Sequence, residues 1–169
     1  MSEKGLSKSS DGKIELVSET VADENFLAEV YFSTKGDEFA ALGWDAEQLG
    51  QLLAMQYKIQ KQAYQLQFPD AENLIIWMEK EKIGRLIVNR SATDLRLVDI
   101  SLLPKFRGSG VGTKIITDLQ NEAGEKNLPL TLTVAQNNPA AFRLYQKLGF
   151  QITGENEMYV SMEWRKIKN

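Results

Sequence analysis

Arg107-Gly108-Ser109-Gly110-Val111-Gly112 lies where one kind of periodicity gives way to another. Before it, Leu95-Arg96-Leu97-Val98-Asp99-Ile100-Ser101-Leu102-Leu103 reads as a β-strand. After it, Val111 to Glu125 reads as a helix, with Val111, Ile115, Ile116 and Leu119 on one stripe. Glycines at such a junction let backbone N–H groups turn towards one point and let a ligand come close. The first helical turn adds unpaired N–H groups and a partial positive charge, so an anion such as a pyrophosphate fits there. Arg107 adds a fixed positive charge at the mouth of the turn. An ordinary glycine-rich connection has the same composition, so the motif alone is weak evidence.

Two nucleotide-binding patterns do not fit. A dinucleotide fingerprint needs G-x-G-x-x-G with an acid about 20 residues on. A P-loop needs Gly-Lys-Ser/Thr at the helix start, whereas Gly112 is followed directly by Thr113. The order Arg-x-x-Gly-x-Gly instead resembles the acetyl-CoA signature of the GNAT superfamily of N-acetyltransferases. A second segment, Asn138-Pro139-Ala140-Ala141-Phe142-Arg143-Leu144-Tyr145-Gln146-Lys147-Leu148-Gly149-Phe150, is similar to that family's later helix and following strand. Two motifs in the right order are far more specific than either alone.

The resemblance implies an α/β (α+β) fold, with a mixed, mostly antiparallel sheet of six to seven strands flanked by about four helices. The sheet splays to admit the pantetheine arm of acetyl-CoA, and no metal takes part. Backbone groups near Leu102 and Leu103 would hold that arm and polarise the thioester. Arg107, Gly108, Gly110, Gly112 and Thr113 would cradle the pyrophosphate, and Asn138 would contact the cofactor. Tyr145 matches the general-acid tyrosine: with an ordinary pKa near 10 it is protonated at neutral pH and able to donate to the leaving sulfur. The competing reading of Tyr145 is a core aromatic beside Leu144 and Leu148.

An alkylammonium has no lone pair until it loses a proton, so a base is needed. Asp99 is the acid within the strand before the glycine turn and is the candidate. Alternation groups it with Leu97 and Ser101, opposite Arg96, Val98, Ile100 and Leu102. The competing reading makes it the ion-pair partner of a Lys or Arg on a packed helix; ordered water, or an amine bound already neutral, are further routes.

The rest of the chain is ordinary for one domain, expected over residues 13–169 behind a mobile polar stretch at 1–12. Of 169 residues, 43% are hydrophobic and 25% charged, with a net charge of −3, which does not suggest a nucleic-acid footprint. The absence of Cys and His excludes disulfides, a Cys nucleophile, a Ser-His-Asp triad and a Cys/His zinc site. No apolar run approaches a membrane span of about 18 residues, and no signal-peptide core is visible, so the cytoplasm is the default location.

Early in the chain, Lys13 to Val17 reads as a strand. Asp23 caps a helix to about Phe32, which Lys35-Gly36-Asp37 breaks. Asp45 and Gln48 form a capping-box pair for a long second helix. Along it Gln56, Gln60 and Tyr64 fall on one line, four residues apart. They read either as a polar edge turning to water or, because the resemblance places early helices beside the acceptor, as an acceptor-pocket wall. Phe68-Pro69-Asp70 stops this helix, and Asn73–Met78 pairs with Ile83–Asn89 across Glu79-Lys80-Glu81-Lys82. Strands at Leu130–Val134, Gln151-Ile152 and Met158–Trp164 follow, with a helix from Asn138 to Gly149 between the first two.

The expected activity is acetyl-CoA-dependent transfer to a primary amine of a small molecule or peptide, with no membrane partner and a homodimer left open. A non-catalytic acyl-CoA-binding module is the alternative, and transfer to a hydroxyl a weaker one.

Overall fold

The computed structural model describes residues 12–40 and 42–168. Strands β1 (Ile14–Ser18), β2 (Glu72–Met78), β3 (Glu81–Arg90), β4 (Leu95–Leu102), β5 (Leu130–Ala135), β6 (Gln151–Glu155) and β7 (Tyr159–Trp164) are accompanied by four α-helices among the described residues. These are α1 (Glu24–Ala40), α2 (Ala46–Gln67), α3 (Val111–Lys126) and α4 (Pro139–Lys147). The strands form one open sheet in the order β1-β2-β3-β4-β5-β7-β6. β1 pairs antiparallel with β2, and β7 with both β5 and β6; β4 and β5 run parallel, registering Leu95 with Leu130 and Arg96 with Thr131. This is the mixed, mostly antiparallel α/β architecture expected. The expectation of mobility at 1–12 falls, apart from Gly12, outside the described residues.

The chain divides into two compact units: residues up to Ile87 with Asp99–Val111, and Val88–Val98 with the chain from Gly112 onward. In the first, α1 and α2 meet through Leu27, Tyr31, Leu53 and Tyr57, which pack on Ile75 of β2. Tyr31 and Tyr57 stack at a tilt, with ring centroids 5.6 Å apart. The capping box at Asp45 and Gln48 forms as expected, and α2 ends just before Phe68.

Three local expectations need correction. Asp23 does not cap α1 alone: Thr20 is the cap of a short 3-10 turn, Val21–Asp23, that leads into it, and Asp23 returns a bond to Thr20 N–H. Helix α1 also runs through Lys35-Gly36-Asp37 to Ala40. A mid-helix glycine costs about 1 kcal/mol, and burial of the helix, with Phe39 still packed on the α1–α2 cluster, outweighs it. Thirdly, Glu81 and Lys82 belong to β3, so the β2–β3 turn is only Glu79-Lys80. Lys82 pairs with Asp23 at 2.6 Å, which gives that strand residue a tertiary reason to be ordered.

In the second unit, Ile115, Ile116, Leu119 and Ala123 form the buried stripe of α3. Buried Leu130, Leu132 and Val134 alternate along β5, and Val160 and Met162 along β7. Gln120 of α3 donates to the Leu148 carbonyl at the end of α4. Gly149 follows in the left-handed region, φ 96°, and closes that helix as expected.

Candidate active site

The glycine turn is built outward from the end of β4. Leu103 N–H donates to the Ile83 carbonyl of β3, and Pro104–Phe106 makes one 3-10 turn anchored by buried Phe106. Ser109 Oγ then donates to the Phe106 carbonyl at 2.6 Å, which folds the loop back on that turn. Gly108 and Gly110 have φ of 73° and 93°, a region that only glycine enters without a steric cost. Gly112 is different. It lies in the first turn of α3, and a Cβ there would meet nothing within 4 Å. The same holds at Gly108.

These two positions leave a cradle that side chains would otherwise fill. No acidic residue occupies the first turn of α3, so no carboxylate of that turn offsets the positive helix end. Thr113 is exposed there, and Lys114 is turned to Asp118 one turn on, at 3.0 Å. A diphosphate fits this donor set.

Arg107 is not held over the loop. Its Nε donates to the Leu102 carbonyl at 2.9 Å, and its Nη2 approaches Ser33 Oγ of α1 at 3.4 Å. It thus ties the end of β4 to α1. Gly84 of β3, which sequence reading passed over, stands against the same strand end: a Cβ on it would run into the Ser101 carbonyl and the Leu102 side chain. Its only sequence signal is a glycine inside an apolar strand, a mark of close backbone approach.

Asn138 is the N-cap of α4. Its Oδ1 accepts from Ala141 N–H at 3.2 Å, which leaves the side-chain amide donor for other use. Tyr145 is buried, 9% exposed, with its ring edge-on to Phe150 at 5.6 Å. The packing partner is therefore Phe150 across the helix end.

Asp99 accepts from Arg85 Nε at 2.9 Å and from Ser101 Oγ at 3.0 Å, both on Oδ2. Its cationic partner lies on neighbouring β3, where the sequence suggested a packed helix. Arg85 is itself buried, and its Nη2 donates to Gln60 of α2 at 2.9 Å. Burial pulls the guanidinium pKa down, but the Asp99 charge and hydrogen bond outweigh that and leave it above its ordinary value. Sequence reading missed Arg85; the available signal was a lone cation within Ile83-Gly84-Arg85-Leu86-Ile87-Val88.

The line Gln56, Gln60, Tyr64 is half-buried. Its members separate in role: Gln60 holds Arg85, and Tyr64 lines a cavity of about 190 Å³ that Arg85 also lines. Neither Gln56 nor Gln60 is among the residues lining that cavity. Among the described residues no cluster of acidic side chains could hold a metal ion, and no helix is long and apolar enough to cross a membrane.

Comparison with known proteins agrees with this geometry. Residues 39–150 match the model of the Acetyltransferase (GNAT) family. A curated relative, thialysine N-epsilon-acetyltransferase of Mus musculus, is 38% identical over 69 residues, 40% of this chain and 41% of that protein. The chain thus matches less than half the length of that relative. Among solved structures, the PaiA N-acetyltransferase of Thermoplasma acidophilum in complex with coenzyme A superposes with a TM-score of 0.69 at 19% identity, over 91% of this chain and 99% of that one. A GNAT family acetyltransferase of Elizabethkingia anophelis with acetyl-CoA bound gives 0.58 at 16% identity, over 90% and 98%. The shared fold and the family match over two motifs in sequence order lead to one statement: this chain belongs to the acetyltransferase (GNAT) family, for which acetyl-CoA is the co-substrate.

Proposed function

We propose that the chain transfers the acetyl group of acetyl-CoA to a primary amine of a small molecule or peptide, by direct attack on the thioester. The observation that carries this reading is the uncovered N-terminus of α3, shaped by Gly108, Gly110 and Gly112 with no carboxylate in its first turn. The mouse relative's name, an N-epsilon-acetyltransferase, supports an amine on a flexible chain as acceptor.

Acetyl-CoA supplies the activated acyl group. In the proposed reaction the amine, bound neutral, bonds through nitrogen to the carbonyl carbon, the carbon–sulfur bond breaks, the proton that the nitrogen loses passes to solvent water, and water restores to Tyr145 the proton that the thiolate takes. Backbone groups at Leu102 and Leu103 hold the pantetheine arm; N–H groups from Gly108 to Thr113 hold the diphosphate, and the Asn138 amide adds a contact. Tyr145 donates the proton that the sulfur takes. Its buried ring suits the role, since a donor fixed by packing needs no reorganisation when charge develops. Asp99 is the fixed partner of Arg85, which makes it a positioning group for Gln60 and the α2 line. Gln56, Gln60 and Tyr64 remain the proposed acceptor wall.

The test is thiol release from acetyl-CoA across a panel of alkylamines, amino acids and lysine peptides, with mass detection of the product. Amide formation on at least one amine is expected. Cofactor binding without transfer to any would contradict the proposal.

A further inference from the structure

The cavity at the C-terminal end of α2 has a charge balance that points to a ligand. Its lining includes Glu19, Lys61, Gln65, Asn73 and Arg85 with the tyrosines Tyr57 and Tyr64, all within the first compact unit. Both cations are already matched: Arg85 by Asp99 at 2.9 Å and Lys61 by Glu24 at 2.8 Å. Glu19 has no ion-pair partner among the described residues. Its backbone is fixed just past the end of β1, because its N–H donates to the Asn73 carbonyl at 3.0 Å, and its side chain lines the cavity.

From this geometry we infer that the cavity binds a primary alkylammonium group, with the Glu19 carboxylate as counter-ion and the Tyr57 and Tyr64 rings as walls. A single carboxylate beside aromatic side chains suits an organic cation, whereas a hard metal ion asks for several oxygen ligands. The volume of about 190 Å³ is below the roughly 300–1,000 Å³ of drug-sized pockets, which favours a short aliphatic chain. Burial also lifts the Glu19 carboxyl above its ordinary range, against the pull of Arg85 and Lys61, with Glu24 and Asp23 adding to the rise. A cation arriving at Glu19 relieves that cost.

Titration calorimetry of the full chain at neutral pH with propane-1,3-diamine and n-propylamine tests the inference without requiring turnover. Wild type is expected to bind the diamine, and Glu19→Gln to bind it at least tenfold more weakly while binding coenzyme A as before. Failure of wild type to bind either amine, or equal binding by Glu19→Gln, overturns the inference. Steady-state kinetics then separate two sources of the ammonium. A raised KM for the diamine with the monoamine unchanged identifies the far end of the acceptor; unchanged kinetics beside weakened binding identify a separate amine ligand. Absence of acetyl transfer to any amine defeats the proposed function but leaves this binding result standing.

Discussion

Arg85 and Asp99 form a partly buried ion pair between adjacent strands, Nε to Oδ2 at 2.9 Å, at a point where Arg85 also reaches Gln60 on α2. Removing one member leaves the other charge without its partner in a site largely closed to water. Asp99→Ala is therefore expected to cost about 3 kcal/mol of stability, measured by urea denaturation. Stability within 0.5 kcal/mol of wild type, a size typical of about-neutral surface changes, would contradict the structural role of the pair.

The three glycines of the turn separate by conformation. Gly108→Ala and Gly110→Ala are expected to destabilise by about 1–2 kcal/mol each, the cost of a left-handed residue with a Cβ. Gly112→Ala is expected to stabilise the free protein by roughly 0.5–1 kcal/mol, because it improves helix propensity in open space. The same methyl narrows the cradle and weakens coenzyme A binding. Thermal melting with and without coenzyme A reads both effects, and a Gly112→Ala protein that binds as tightly as wild type would count against the cradle.

Glu122 of α3 sits between Arg90 and Lys126, at 2.7 and 2.9 Å. The Arg90 hydrogen bond is the main cause that holds its carboxyl at about 2. The folded value lies below the unfolded one of about 4.3, so the contribution is complete above that pH and is lost as pH falls towards 2. Arg90 is partly exposed, so the expected size is on the order of 1–2 kcal/mol after solvent screening. Glu122→Gln should flatten the acid-range loss of stability by that amount; an unchanged slope between pH 5 and 2 speaks against the pair.

Tyr145→Phe keeps the ring against Phe150 and removes only the hydroxyl. A fall in kcat of roughly 10²-fold is expected if the hydroxyl donates to sulfur, with melting temperature and coenzyme A affinity nearly unchanged. Full kcat at saturating substrates removes the acid role.

Much of the fold was legible because its signals are local. The Asp45–Gln48 box, Pro139 after Asn138, and the alternation of β5 each follow from short-range chemistry. The errors came where tertiary burial overrode a local signal, as when α1 continued through Gly36. Arg85 and Glu19 escaped notice for a different reason. Their meaning depends on what the fold brings beside them: Asp99 lies 14 residues from Arg85, and Asn73 lies 54 from Glu19. No spacing rule links such pairs. Within the glycine motif, sequence treated three positions alike, and only backbone dihedrals distinguish Gly112 from Gly108 and Gly110.

In the proposed function the turn from Gly108 to Thr113 holds the diphosphate of acetyl-CoA. Calorimetric titration of the purified chain with coenzyme A and with pantetheine, which lacks the diphosphate, tests it most directly. Coenzyme A is expected to bind and pantetheine to bind far more weakly. Equal affinity for the two, or no association with coenzyme A, would contradict the account.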